Sequence, residues 1–197
     1  MTRRHGVLAA ALLLGAAGCL SLKPQPDPAR FYVLSATVPE PSARQPGTLV
    51  GLGPVTVPGY LRASQLVTRY GPNELDLHET ARWGEPFGTM AARVLLDDLE
   101  RALGAEQGVL YPWTRTLAPS PVIEVAFERF ERDSAGAAIL DARWRVRAGG
   151  TARTGATSLV EPAEGVGNDA AVAALSRALG RLAEEIAAAA RPVAAAP

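Results

Sequence analysis

Few groups in this chain could run a reaction, and the one sulfur nucleophile stands near the start. Cys19 is the single cysteine in 197 residues. One thiol can be alkylated, but it excludes an internal disulfide framework and a cysteine-rich zinc site. His78 precedes Glu79, yet the second histidine of a His-Glu-x-x-His zinc motif is absent around Trp83. The alternation of its segment puts His78 on the polar face of a strand, as a surface histidine and not a general base. Gly51-Leu52-Gly53 begins like a dinucleotide fingerprint, but the third glycine is missing and Pro54 interrupts. A backbone bend is the better reading. No phosphate loop and no Gly-x-Ser-x-Gly elbow occur, and no carboxylate pair stands out for glycoside hydrolysis. The expectation is a protein that is not an enzyme and holds no metal.

The residues ahead of Cys19 give its thiol a purpose. Arg3 and Arg4 precede an apolar run, Val7 to Ala17, and small residues lead into the cysteine. This is the layout of a secretory signal peptide. The run is shorter than the roughly 20 residues that span a bilayer. Ala16-Ala17-Gly18-Cys19 resembles a bacterial lipobox. The resemblance implies cleavage between Gly18 and Cys19, a diacylglycerol on the thiol and an acyl chain such as palmitate on the new amino group. No cofactor beyond these chains is expected. Stable anchoring takes more than one chain, at about 0.8 kcal/mol per buried methylene. Pro24, Pro26 and Pro28 then favour an extended tether, about 3.1 Å per residue. Position 20 is Leu and not Asp, which by resemblance to enterobacterial lipoproteins points to the outer membrane.

The composition fits a folded domain behind that tether. Hydrophobic residues are 48% and charged residues 20%, which excludes a disordered chain. Twenty basic residues balance twenty acidic ones, so no charge excess is present for nucleic acid. The expected division is a cleaved signal over 1–18, lipidated cysteine and tether over 19–29, one domain over 30–192 and a tail over 193–197.

The elements that must build the domain are legible in outline. Arg30–Ser35 and Thr48–Val57 read as strands, the second bent near Gly53-Pro54. Gly71-Pro72-Asn73 joins two arms of a hairpin, 65–70 and 74–81. In the second arm Leu75, Leu77 and Ala81 share a face. A helix starts near Pro86, where proline's missing N–H has no partner to lose. Phe87, Met90, Val94, Leu95, Leu99 and Leu103 form its apolar stripe, and Gly104 ends it. Strands follow at 109–113, 121–132, 139–148 and 151–160. Asn168-Asp169 offers a cap for a last helix striped by Val172, Leu175, Leu179, Leu182 and Ile186. The fold class is therefore α/β: one domain, a mixed sheet with two main helices packed on it.

Arg143, Arg145 and Arg147 line the polar side of one strand and could attract phosphates. Glu124 and Glu128 on the preceding strand offer cross-strand partners that explain them without a ligand.

Two segments carry a wider resemblance. Tyr60-Leu61-Arg62 leads into the hairpin, and Arg82-Trp83-Gly84-Glu85-Pro86-Phe87 leads into the first helix. With Phe31-Tyr32-Val33-Leu34, the strand at 53–58 and the final Ala/Leu-rich helix, this order resembles the PqiC/YmbA family of ABC-type transport auxiliary lipoproteins. The resemblance implies a non-enzymatic outer-membrane lipoprotein facing the periplasm. Its implied partners are an Mce-domain protein and transporter subunits of an intermembrane lipid-transport system that supports envelope integrity, with a possible homo-oligomer. Local physics reads Arg82, Trp83, Glu85 and Pro86 as fold determinants: Trp83 can staple the helix start against Phe87 or Met90, and Glu85 suits the helix dipole. Tyr60 and Arg62 lie in a loop and are the candidates for partner contact. The alternative is a stand-alone lipid-binding or chaperone lipoprotein with an apolar groove between helix and sheet.

Overall fold

The computed structural model describes residues 27–114 and 116–191. Gly18, Cys19 and the signal segment lie outside the described residues. Eight strands form one mixed sheet: β1 (Arg30–Tyr32), β2 (Gln45–Thr56), β3 (Gln65–Gly71), β4 (Glu74–Trp83), β5 (Ala105–Leu110), β6 (Val122–Asp133), β7 (Ala138–Ala148) and β8 (Thr151–Glu161). Two helices, α1 (Phe87–Leu103) and α2 (Gly167–Ala190), pack on one face of it. The strand order is β1-β4-β3-β6-β2-β5, with β7 and β8 added on the other edge of β6.

β6 organises the sheet. Its first half pairs in parallel with β2 and its last residues pair in parallel with β3. Both therefore occupy the same edge of β6, one after the other, and a 3-10 turn at Gly59–Arg62 bridges the step between them. β7 runs antiparallel along the opposite edge.

A bulge in β6 resets which side chains face the helices. From Phe127–Ala142 to Arg129–Asp141, the pairing advances two residues on β6 and one on β7. Ile123, Val125 and Phe127 point to the core before the bulge, and Phe130 does so after it. Phe87, Phe127 and Phe130 then meet, with ring centroids 4.9 to 6.4 Å apart.

The hairpin also changes phase. Between Gln65–Arg82 and Val67–Leu77 it steps by two residues on β3 and five on β4. Leu77 therefore does not share a face with Ala81, as plain alternation predicts: Leu77 is exposed and Ala81 is fully buried.

α1 begins after Pro86 and ends at Gly104, which adopts the left-handed conformation (φ 64°, ψ 29°). That sharp turn feeds β5 directly, four residues earlier than the sequence pattern places it. The last helix has no side-chain cap; Gly165 and Gly167, at φ 119° and 87°, turn the chain into it. Asn168 and Asp169 lie inside the first turn instead, where Asn168 Oδ1 accepts from Arg132 and Asp169 pairs with Arg30.

Residues 33–44 strap β1 to β2 across both helices. Ser35 N–H donates to Ser176 Oγ of α2 at 3.2 Å, and the N–H groups of Thr37 and Val38 both donate to Asp98 Oδ1 of α1 at 2.8 Å. Thr37 lies against Gly180, where any side chain would collide with it.

Candidate functional site

The helices leave one face of the sheet uncovered, and its residues are mostly charged. Four strands and the 3-10 turn build a network there around Glu131, whose side chain is fully buried. Arg69 on β3 donates to Glu131 Oε1 at 2.6 Å, and Arg129 donates to the same oxygen at 3.0 Å. The Tyr60 hydroxyl donates to Glu131 Oε2. Arg129 reaches on to Asp141 on β7, which accepts from Ser158 of β8 at 2.6 Å. Burial pushes the Glu131 carboxyl up, but its three hydrogen-bond donors outweigh that and hold it below the usual range. Burial and the neighbouring carboxylate raise the Tyr60 phenol.

Below this network the same face forms a hollow of about 650 Å³, bordered by Thr56, Ala126, Thr154 and Ala156 and by charged residues of β6 and β7. Arg143 pairs with Glu128 at 2.6 Å and Arg147 with Glu124 at 2.7 Å. Cross-strand pairing thus accounts for two of the three arginines. Arg145 is exposed, and among the described residues it makes no ion pair.

The residues singled out by sequence fall into two groups. Tyr60 is half-buried and braces the step between β2 and β3, so its hydroxyl serves the fold as well as any partner. Arg62, two residues on, is exposed. Trp83 is buried and packs on Phe87 at 5.7 Å, as the staple reading expects. Pro86 is the residue before the first helical turn. Glu85 pairs with Arg93 of α1, one turn and more into the helix. Arg82 bonds Glu79 O and pairs with Asp27 at 3.4 Å.

Sequence reasoning missed Glu131, Arg69, Arg129 and Asp141. One signal was present: Phe127 and Phe130 are both apolar but three apart, which a period of two cannot bury on one face without a bulge. It also misplaced His78. The ring is not on an open polar face; its side chain is 23% exposed, and Nε2 lies 2.7 Å from Thr68 Oγ1 and against the Arg132 guanidinium. Burial and the Arg132 charge hold its pKa below the ordinary value, and Nε2 accepts from the guanidinium, which can only donate. The odd step in the hairpin explains the change of side.

Among the described residues, no group of three or more histidine, cysteine or carboxylate residues could hold a metal ion. Among them, too, no helix is long and apolar enough to cross a membrane.

Known proteins agree with this architecture. A solved structure of an uncharacterised protein superposes with a TM-score of 0.68 at 18% identity, covering 82% of this chain and 97% of that one. The Xanthomonas campestris protein XCC0632, of the DUF330 family, superposes with a TM-score of 0.61 at 19% identity, over 81% and 93%. At these identities the likeness establishes a shared fold. No curated protein matches the sequence. Residues 32–187, nearly the whole described domain, match the ABC-type transport auxiliary lipoprotein component, and the chain belongs to that family.

Proposed function

We propose that this protein is a non-enzymatic, lipid-anchored subunit of an Mce/ABC-type intermembrane lipid-transport system, held at the periplasmic face of the outer membrane. The observation that carries the reading is the family match over residues 32–187, standing behind the Ala16-Ala17-Gly18-Cys19 segment. In this reading Cys19 carries diacylglycerol and an N-acyl chain, and the domain docks the periplasmic Mce-domain protein that links to the transporter. The uncovered sheet face is the docking surface. Glu131 holds Arg69 and Arg129 in place there, Glu128 and Glu124 hold Arg143 and Arg147, Arg145 stands exposed among them for a partner, and Arg62 stands exposed on the 3-10 turn. Fixed, exposed charges set orientation and partner choice more than raw affinity.

The space between helices and sheet argues against a carrier that works alone. Phe87, Met90, Leu95, Leu99, Leu179 and Leu182 fill its centre, each no more than 2% exposed, and the hollow of about 350 Å³ between Ala189–Ala190 and Val146, Ala148 and Thr151 lies at the end of α2, outside that packed centre. Co-purification of the full-length lipoprotein with an Mce-domain protein tests the proposal. A monomer that extracts phospholipid unaided would count against it. Labelling with a palmitate analogue tests the anchor: label on the wild type and none on Cys19→Ala is the expected result.

A further inference from the structure

The end of the domain where the tether arrives carries apolar side chains that stand exposed among the described residues. Phe31 is 66% exposed, Val33 54% and Val166 96%. They lie along the β1 edge of the sheet, Phe31 on the side away from the helices and Val33 and Val166 beside the start of α2. Arg30, next to Phe31, pairs with Asp169 in the first turn of α2, and Val166 lies three residues before Asp169. Val33 lines the same shallow hollow as Asp169, Val172 and Ala173.

The described chain begins at this place, at Asp27. Asp27 pairs with Arg82, and Arg82 is the register neighbour of Phe31. Eight residue steps separate Cys19 from Asp27, which reach about 28 Å at full extension. An acyl anchor on Cys19 therefore keeps this end of the domain within about 28 Å of the bilayer. The three cations beside the patch are paired, Arg30 and Arg82 each with an aspartate and Arg177 with Glu161 and Glu164, so an attraction to lipid here is apolar and not electrostatic.

We propose that Phe31, Val33 and Val166 form a second membrane contact, set into the bilayer interface beside the lipid anchor, which fixes how the domain stands on the membrane. The proposal rests on acylation of Cys19 in the reading above. Three side chains bind weakly by themselves; the anchor supplies the local concentration that makes the contact count.

The test uses the full-length acylated lipoprotein in phosphatidylcholine vesicles. Phe31→Cys introduces the one free thiol, since the Cys19 sulfur is consumed by its thioether, and an environment-sensitive fluorophore is attached there. Val166→Cys is a second site, and Gln107→Cys, exposed on β5 at the far end of the strand order, is the control. At positions 31 and 166 the emission should shift to the blue and rise several-fold with vesicles, be quenched by bromine-labelled lipid, and change little with added salt or anionic lipid. The control should not respond. Protein that floats with vesicles while all three sites behave alike overturns the second contact and leaves the anchor standing. Emission already blue without vesicles overturns it in favour of burial against another protein copy. Protein that fails to float and carries no acyl label overturns the anchor, and this contact with it.

Discussion

The covered and open faces of the sheet each bury a carboxylate, and the two are treated in opposite ways. Under the strap, Asp98 is fully buried in α1; its Oδ1 accepts two backbone N–H groups, while Oδ2 has no partner among the described residues. Burial dominates there and raises the Asp98 pKa, although those N–H groups pull it down. On the open face, Glu131 is equally hidden, but Arg69, Arg129 and Tyr60 occupy both oxygens and hold its pKa low. Burial alone therefore does not decide whether a carboxylate supports the fold. The number and charge of its donors do. The covered face holds together by packing, with a carboxylate it only partly satisfies. The open face, with little apolar area to bury, depends on a charge network that is fully satisfied.

The comparison can be broken at several points. Phe87→Ala removes the ring that joins Trp83, Phe127 and Phe130. It should cost about 4 kcal/mol in denaturant unfolding, the upper range for a buried aromatic. A loss below about 1 kcal/mol would mean the covered face is not packing-dominated. Glu131→Gln leaves two guanidinium groups and a phenol facing a neutral amide, and should cost about 3 kcal/mol. An unchanged midpoint would remove the network from the list of things that hold the open face.

Acid separates the two carboxylates further. Glu131 has a lowered folded pKa, so its stabilisation is present above its unfolded value and is lost as pH falls through the folded one. Asp98 has a raised folded pKa, so its contribution is fully present below its unfolded value and is lost as pH rises through the folded one. Unfolding measured from pH 7 down to pH 3 should lose part of its acid sensitivity in Glu131→Gln. Asp98→Asn should become more acid-sensitive than wild type, and at pH 7 should lie within about 1 kcal/mol of it, because the amide keeps the acceptor and removes a poorly solvated charge. The smallest effect is expected at Arg145→Ala. An exposed, unpaired side chain should change stability by less than about 0.5 kcal/mol. If that substitution also abolishes capture of the Mce-domain partner, the open face gains a named contact. If it lowers stability by a kilocalorie or more, Arg145 belongs to the network after all.

The covered face was the more legible of the two in sequence. The stripe from Phe87 to Leu99, the stop at Gly104 and the Trp83–Phe87 contact all follow from local rules, because a helix face repeats without interruption. The open face was not, because its chemistry depends on phase. One extra residue near Glu128 turns Arg129 and Glu131 outward together, and the five-against-two step in the β3–β4 hairpin sends His78 inward. Strict alternation assigns both wrongly from that residue on. The parallel pairing of β2 and β3 along one edge of β6 was equally hidden, since contacts between distant segments leave no local period. Of the two loop candidates, Tyr60 acquires a visible role only once that edge is assembled.

The strap has a mechanical consequence. If Cys19 is anchored as proposed, a pull on that anchor arrives at Asp27, the first described residue. β1 is three residues long and would offer little resistance by itself. Its continuation is fastened to α2 through Ser35 and to α1 through Thr37 and Val38, and Arg101 of α1 holds Val38 O at 3.1 Å. Force applied at the N-terminal side of the domain is thereby shared between the sheet edge and both helices before it can peel a strand away.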